Sequence, residues 1–335
     1  MKDQHGSITA DDVAALAGVS RWTVNRAYRK DASISAKSRE KVMKAAEELS
    51  YVPDLLATSL ATDRTNLVAL LVDDFANPHK LVMMERLTRI LRKGGYDTLL
   101  VNTSDEEDTS AALLNASQRR VDAAVLIGIS FNDQSLETAL GAKRVKKLIV
   151  FARMSKNDNT ISICCDDRAA MATLTQHVFS AGYRNPLFIA GPQTQSAHLQ
   201  RKETFLSQWE QTAGRRPEFA TVERYDPNMA YDLVTERFRD APASKLPDVL
   251  VCENDALAMG AIDAIRYELG LRVPEDIAVT GFDDVPQASS PHYKLTSYRQ
   301  PLTDMANALV DILEGKIRTK KLNAFVGNLV IRTSA

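Results

Sequence analysis

The chain has 335 residues, 44% hydrophobic and 25% charged, with 42 Lys plus Arg against 43 Asp plus Glu for a formal net charge of -1. Such a composition buries substantial cores in more than one domain and is a poor fit to disordered or repeat architectures. The near-neutral total gives no whole-chain case for nucleic acid, so local charge decides that question.

The first six residues are polar and lack the apolar stretch of a secretory signal, and no later run approaches the roughly 20 apolar residues of a membrane span. A cytoplasmic protein without a membrane partner is expected. Helices come first. Thr9 and Asp12 form a capping arrangement, Val13, Leu16 and Ala17 share a face, and Gly18 ends the helix in a left-handed conformation. After a turn of three to four residues, Ser20 caps a second helix. A third begins near Ser35, keeps Val42, Ala45, Ala46 and Leu49 at helical spacing, and stops before Tyr51, Val52 and Pro53.

On the second helix, at about 100° per residue, Arg21, Trp22, Asn25, Arg26 and Arg29 fall within an arc of about 140°, with Thr23, Val24, Ala27 and Tyr28 opposite. Arg offers a bidentate fork to guanine and Asn a donor and acceptor pair to adenine, as major-groove reading requires. A merely solvated charged face is the bland alternative. The position of this face after a turn of the right length, within the basic stretch 20–44, favours DNA. Trp22 packs on the bundle edge or, among the polar residues, stacks on a sugar or meets a thymine methyl.

Residues 54–61 amount to about two turns of helix, below the roughly 12 to 15 at which an isolated helix becomes marginal, so this segment orders only against a partner. From Asn66 onward, apolar strand runs at 67–72, 98–101, 123–127, 148–151, 187–190, 249–252 and 277–280 alternate with helical stretches. Fully apolar strands in that alternation indicate parallel sheets covered on both faces. Some 260 residues exceed one such sheet, so two lobes sharing a cleft are expected, with ligand beyond the carboxyl ends of the strands. Cys164 and Cys165 lie together in one apolar run and Cys252 in another, which reads as buried strand thiols without a zinc or disulfide pattern.

Three stretches carry a family resemblance at the N-terminus: residues 12–20 (Asp-Val-Ala-Ala-Leu-Ala-Gly-Val-Ser), 23–27 (Thr-Val-Asn-Arg-Ala) and 45–53 (Ala-Ala-Glu-Glu-Leu-Ser-Tyr-Val-Pro). Further on stand Asn77-Pro78, residues 254–260 (Asn-Asp-Ala-Leu-Ala-Met-Gly), 273–277 and 281–284. With these the chain resembles the lactose repressor (LacI/GalR) family of bacterial transcription regulators over nearly its whole length. The resemblance implies a helix-turn-helix DNA-binding domain at 1–53, a hinge helix and linker at 54–65, and a two-lobed, periplasmic-binding-protein-like sensor and dimerisation domain at 66–335.

It also implies roles. Arg21 and Trp22 choose the operator, Asn25 and Arg26 follow them into the groove, and Ser20, Thr23 and Arg29 complete the DNA-binding set. Leu60 matches a hinge leucine that wedges between base pairs of the minor groove. Asp73, Arg201, Asn254 and Asp283 match effector-contacting positions, His79 and Arg153 lie near others, and Phe75 with Tyr225 supplies aromatic character. Each has a plainer alternative: Asp283 caps a turn, Arg201 pairs with Glu203, and Asn254 caps the following helix. Departures from the family pattern at Asn25, Asp54, Ala152, Thr204 and Pro227 prevent borrowing an operator or effector from relatives.

The expected function is therefore a DNA-binding regulator, a repressor in the family's commoner mode, acting as a homodimer on palindromic double-stranded DNA. A sugar, sugar acid or sugar phosphate is the expected effector. A purine or other metabolite, or a sugar-binding protein without a regulatory role, is the alternative. Catalysis is not expected, since the five histidines show no metal-ligand spacing and neither a Walker loop nor a Gly-x-Ser-x-Gly elbow is present; no cofactor is implied.

Overall fold

A computed structural model describes residues 8–28, 32–54, 59, 64–103, 106–129, 131, 136, 145–193 and 197–335. The chain divides into two compact units, 1–65 and 66–335. In the first, α1 (Ala10–Ala17), α2 (Arg21–Ala27) and α3 (Ala36–Glu48) form the three-helix bundle. Thr9 donates its N–H to Asp12 Oδ2 at 2.8 Å and accepts the Asp12 N–H on Oγ1 at 3.4 Å, a reciprocal cap. Gly18 ends α1 at φ 64, where a Cβ would be strained. Ser20 and Ser35 cap α2 and α3 through the N–H groups of Thr23 and Ser38.

The core of this unit is thin: Val13, Val24 and Val42 are fully buried, with Ala14, Ala27, Ala45 and Ala46 around them. Leu16 departs from expectation and stands 48% exposed. Stepping 100° per residue places Ala14 and Ala17 on one side of Val13 and Leu16 on the other, and the bundle covers the alanine side.

In the second unit, the elements in chain order begin with β1 (Leu67–Val72), α4 (Pro78–Lys93), β2 (Asp97–Asn102), α5 (Glu106–Gln118), β3 (Ala123–Ile127), β4 (Leu148–Phe151), β5 (Met154–Ser155) and β6 (Ile161–Cys165). There follow α6 (Asp167–Ser180), β7 (Pro186–Ala190), β8 (Ala197–His198), α7 (Arg201–Ala213), β9 (Glu218–Thr221), α8 (Pro227–Phe238), β10 (Val249–Cys252) and α9 (Asp255–Asp263). Last come β11 (Ala278–Asp283), β12 (Thr296–Arg299), α10 (Leu302–Leu313), β13 (Lys321–Phe325) and β14 (Asn328–Val330).

Two six-stranded sheets result, ordered β13-β6-β4-β3-β1-β2 and β14-β12-β11-β10-β7-β9. All described pairings within them are parallel except β12 with β14. β3, β4, β7, β10 and β11 are buried at every residue, as strands covered by helices on both faces must be. The three cysteines are free and buried in β6 and β10, and burial raises each thiol pKa, that of Cys165 to about 12.

The lobes are not consecutive in sequence. The chain enters the second after Cys165, returns to the first at residues 300–301, and re-enters the second at residues 326–327. Met305, Leu309 and Ile312 of α10 thereby complete the core under β1 and α4 with Leu87 and Leu91. The crossings are tied together: the Asp166 N–H donates to the Phe325 carbonyl at 2.9 Å, and the Gly327 N–H to Tyr298 Oη at 2.9 Å. A Cβ on Gly327 would lie 2.0 Å from the Arg299 carbonyl, so this close approach requires glycine. No described helix is long and apolar enough to cross a membrane.

Candidate DNA-reading helix and effector cleft

Capping by Ser20 and burial of Val24 and Ala27 fix which face α2 presents. Ser20, Arg21, Trp22 and Asn25 are exposed, Trp22 at 65%, while Thr23 is half-buried with its hydroxyl 2.9 Å from that of Ser20. The Arg21 guanidinium pairs with Asp11 at 3.2 Å across an exposed surface, an interaction readily exchanged for a phosphate or base. Arg26 is not presented as a free reader. It donates to the Ser33 carbonyl and lies 4.2 Å from the centroid of the Trp22 ring, which it steadies. Arg29 and Leu60 lie outside the described residues.

In the larger unit the carboxyl ends of strands from both sheets converge. β4 leads to Ala152 and Arg153, β10 to Glu253 and Asn254, β11 ends in Asp283 and β12 leads to Gln300. The backbone is strained here, with Ala152 at φ 62, Asp283 at φ 112 and Asp284 at φ 52. Left-handed non-glycine residues persist only where the surroundings over-determine them, and they gather at ligand sites. The cavity between the lobes measures about 40 Å3, and His79, Lys80 and Arg153 face Arg201, Tyr225, Asn254, Asp283 and Gln300 across it. A second chamber of about 190 Å3 shares Arg153 and Tyr225 with the first.

Arg201 is 4% exposed and organises the second lobe's side. Its Nε donates to Asp167 at 3.1 Å and its Nη1 to the Glu253 carbonyl at 2.9 Å, and Asp283 lies 3.8 Å away. The guanidinium sits 3.6 Å over the Phe282 ring. Burial opposes its charge, but Asp167, Asp283 and Glu253 outweigh burial and raise its pKa further. Arg201 does not pair with Glu203, which meets Arg216 and Lys202 instead. Asn254 combines two of the roles considered for it: Oδ1 accepts the Leu257 N–H at 3.0 Å as a helix cap, and the residue also lines the cavity.

Asp283 caps no turn. It accepts from Gln300 Nε2 at 2.7 Å and stands 3.5 Å from His79 Nε2, joining the lobes. Burial lowers the His79 pKa against the pull of Asp283, and Arg201 and Lys80 lower it further, so the imidazole is neutral near pH 7.

Two predicted effector residues are not brought to the cavity. Asp73 accepts from Lys80 Nζ at 3.0 Å and from the Ile129 N–H, which turns its carboxylate into the first lobe. Gly128 leaves room for it, since a Cβ there would lie 2.0 Å from Asp73 Cγ. Phe75 packs against the first lobe's core. Lys80 and Gln300 are the lining residues with polar side chains that sequence reasoning missed. The signal for Lys80 was a lysine on the same helical face as Met83, Met84 and Leu87.

A small helical bundle that presents a basic reading face, joined to a two-lobed α/β binding domain, defines a DNA-binding regulator with a ligand-sensing module. Residues 9–54 match the family model for bacterial regulatory proteins of the lacI family, and 175–335 match a periplasmic binding protein-like domain. The sucrose operon repressor of Shigella flexneri is 30% identical over 285 residues, covering 82% of this chain and 83% of that one. The HTH-type transcriptional repressor PurR of Haemophilus influenzae (strain PittEE) is 26% identical over 314 residues, 93% and 92% of the two chains. The crystal structure of the lac repressor dimer bound to operator and the anti-inducer ONPF superposes with a TM-score of 0.80 at 23% identity, over 98% of this chain and 99% of that one. The chain belongs to the LacI family of bacterial regulatory proteins: it is a DNA-binding transcription regulator with a small-molecule effector domain and not an enzyme.

Proposed function

We propose that the protein is a homodimeric repressor in the cytoplasm that reads a palindromic operator through residues 1–53. Its hinge at 54–65 orders on that DNA, and a sugar-class effector held between the lobes of 66–335 sets its affinity. The observation that carries this reading is the convergence of His79 and Arg153 from one lobe with Arg201, Asn254 and Asp283 from the other on a single cavity. A ligand touching both lobes favours one closure, and it shifts the equilibrium by as much as it prefers that state. The chain leads directly from the hinge into β1 of the first lobe, so lobe closure bears on the paired hinge segments and on Leu60 in the minor groove.

Similarity to a sucrose operon repressor supports a sugar-class ligand. Phe75 packs into a core and Arg153 lies 5.3 Å from the centroid of the Tyr225 ring, which favours recognition of hydroxyl groups over purine stacking. Arg21, Trp22 and Asn25 read bases in this account, with Ser20 and Thr23 beside them, Arg26 holding Trp22, and Arg29 extending the basic face.

An operator recovered by selection from random DNA provides the test. Arg21→Ala or Asn25→Ala should each cost about 1 to 3 kcal/mol in a gel shift on that operator and much less on random DNA. Equal losses on both would reduce these side chains to phosphate contacts.

A further inference from the structure

The cleft's cationic side chains keep donors that the chain itself does not use. The carboxylates on and behind the cleft are engaged: Asp283 Oδ1 accepts from Gln300 and faces Arg201, Asp167 behind the lining holds Arg201, and Asp73, turned into the first lobe, holds Lys80. Glu253 accepts the Gly191 N–H at 2.6 Å and the Tyr225 hydroxyl at 3.0 Å. Several donors are not matched in this way. Lys80 Nζ spends two of its three protons, on Asp73 and on the Ile127 carbonyl at 2.9 Å. Arg153 is half-buried, hydrogen-bonds Tyr225 and stands over its ring, and lines the cavity without an ion pair among the described residues.

His79 adds a third donor. Its Nε2 lies 3.1 Å from Gln300 Nε2, so the neutral ring accepts there and carries its proton on Nδ1, a buried atom without a partner. Among the fully buried atoms of the lining, Gln300 Oε1 is the acceptor without a partner. A neutral polyol brings donors and acceptors in equal measure, whereas a carboxylate or phosphate brings acceptors and a negative charge. Lys80 and Arg153, both on the first lobe's side of the cavity, repel one another, and that repulsion adds to burial in lowering the Lys80 pKa. An anion between them removes the repulsion and supplies the missing acceptors.

We infer that the effector is an anionic sugar derivative, a sugar acid or sugar phosphate, whose acid group is received by Arg153 and Lys80 while Asp283, Asn254 and Arg201 hold its hydroxyl groups. The inference rests on the effector site proposed above and narrows it. Lys80 and Arg153 then decide specificity, and Asp73 positions Lys80.

The test uses the full chain and matched probes, glucose with gluconate and glucose 6-phosphate, ribose with ribonate and ribose 5-phosphate, and inorganic phosphate and acetate alone. Calorimetric affinity and thermal unfolding are read for wild type, Arg153→Gln and Arg153→Lys. At least one acid should bind about tenfold or more tightly than its neutral parent, lose about tenfold in Arg153→Gln, and recover in Arg153→Lys. Carboxylates and phosphates are separated by which arm responds. Unliganded Arg153→Gln should unfold no earlier than wild type, because relief of Lys80 offsets the lost side chain.

A neutral sugar that binds as tightly as its acids and alters operator affinity overturns the inference and leaves the cleft as the effector site. Acids that bind Arg153→Gln as tightly as wild type also overturn it. Failure of every anion to bind at millimolar concentration, with no neutral sugar acting either, overturns both readings.

Discussion

Arg201→Ala tests whether the cleft is built around a buried cation. The substitution removes the donors to Asp167 and to the Glu253 carbonyl and strips two carboxylates, on Asp167 and Asp283, of the cation between them. Arg201, Asp167 and Asp283 are all buried, so water does not replace what is lost. Breaking a buried pair by deleting one partner typically costs about 3 to 5 kcal/mol. For a domain of this size each kcal/mol lowers Tm by about 2 °C, which gives a fall on the order of 6 to 10 °C. Thermal and urea unfolding of both proteins at pH 7 measures it. Asp167→Asn added to Arg201→Ala should recover part of the loss, because one of the stranded charges is then gone. A cost below about 1 kcal/mol, as exposed ion pairs show, would refute the reasoning.

Three other outcomes are expected. Leu60→Gly removes the proposed wedge from a short hinge, so DNA bending and specific affinity should fall while the sensor's unfolding is unchanged; bending equal to wild type removes Leu60 from the mechanism. Burial lowers the His79 pKa below its usual 6.5, so between that lowered value and pH 6.5 the folded state binds fewer protons than the unfolded state. The resulting stability is present above pH 6.5 and lost as the pH falls through the window; His79→Gln should flatten this dependence, and parallel stability curves from pH 5 to 7.5 for the two proteins would contradict it. Gly281→Ala places a Cβ 2.2 Å from Asp255 Oδ1, an atom held by Ser297 at 2.6 Å, and should cost about 1 to 3 kcal/mol or more. An unchanged urea midpoint would show that β11 shifts without cost.

Local rules carried the sequence reading furthest. The caps at Thr9, Ser20 and Ser35 need only near neighbours, and the apolar runs of the doubly covered strands are visible in the residues themselves. Arg201, Asn254 and Asp283 were expected at the cleft from the family resemblance, and all three line its cavity. The misses are all non-local. Leu16 depended on which flank of α1 the bundle covers, and Asp73 turned inward because Lys80, seven residues away, claims its carboxylate. Gln300 joined the site only through the strand before it and the crossing after it, neither of which an apolar run announces.

The return of α10 to the first lobe has a consequence for how the protein is made. When translation has passed Cys165, every strand of the first sheet except β13 has been synthesised, yet the α4 face that Met305, Leu309 and Ile312 will cover is still bare. At about 5 to 20 residues per second, the ribosome needs on the order of ten seconds or more to reach Leu302. Over that interval the nascent lobe carries an exposed apolar face, and a fragment ended between the lobes carries it permanently. The first lobe therefore cannot be lifted out for study or for splicing into another regulator without the segment 302–325.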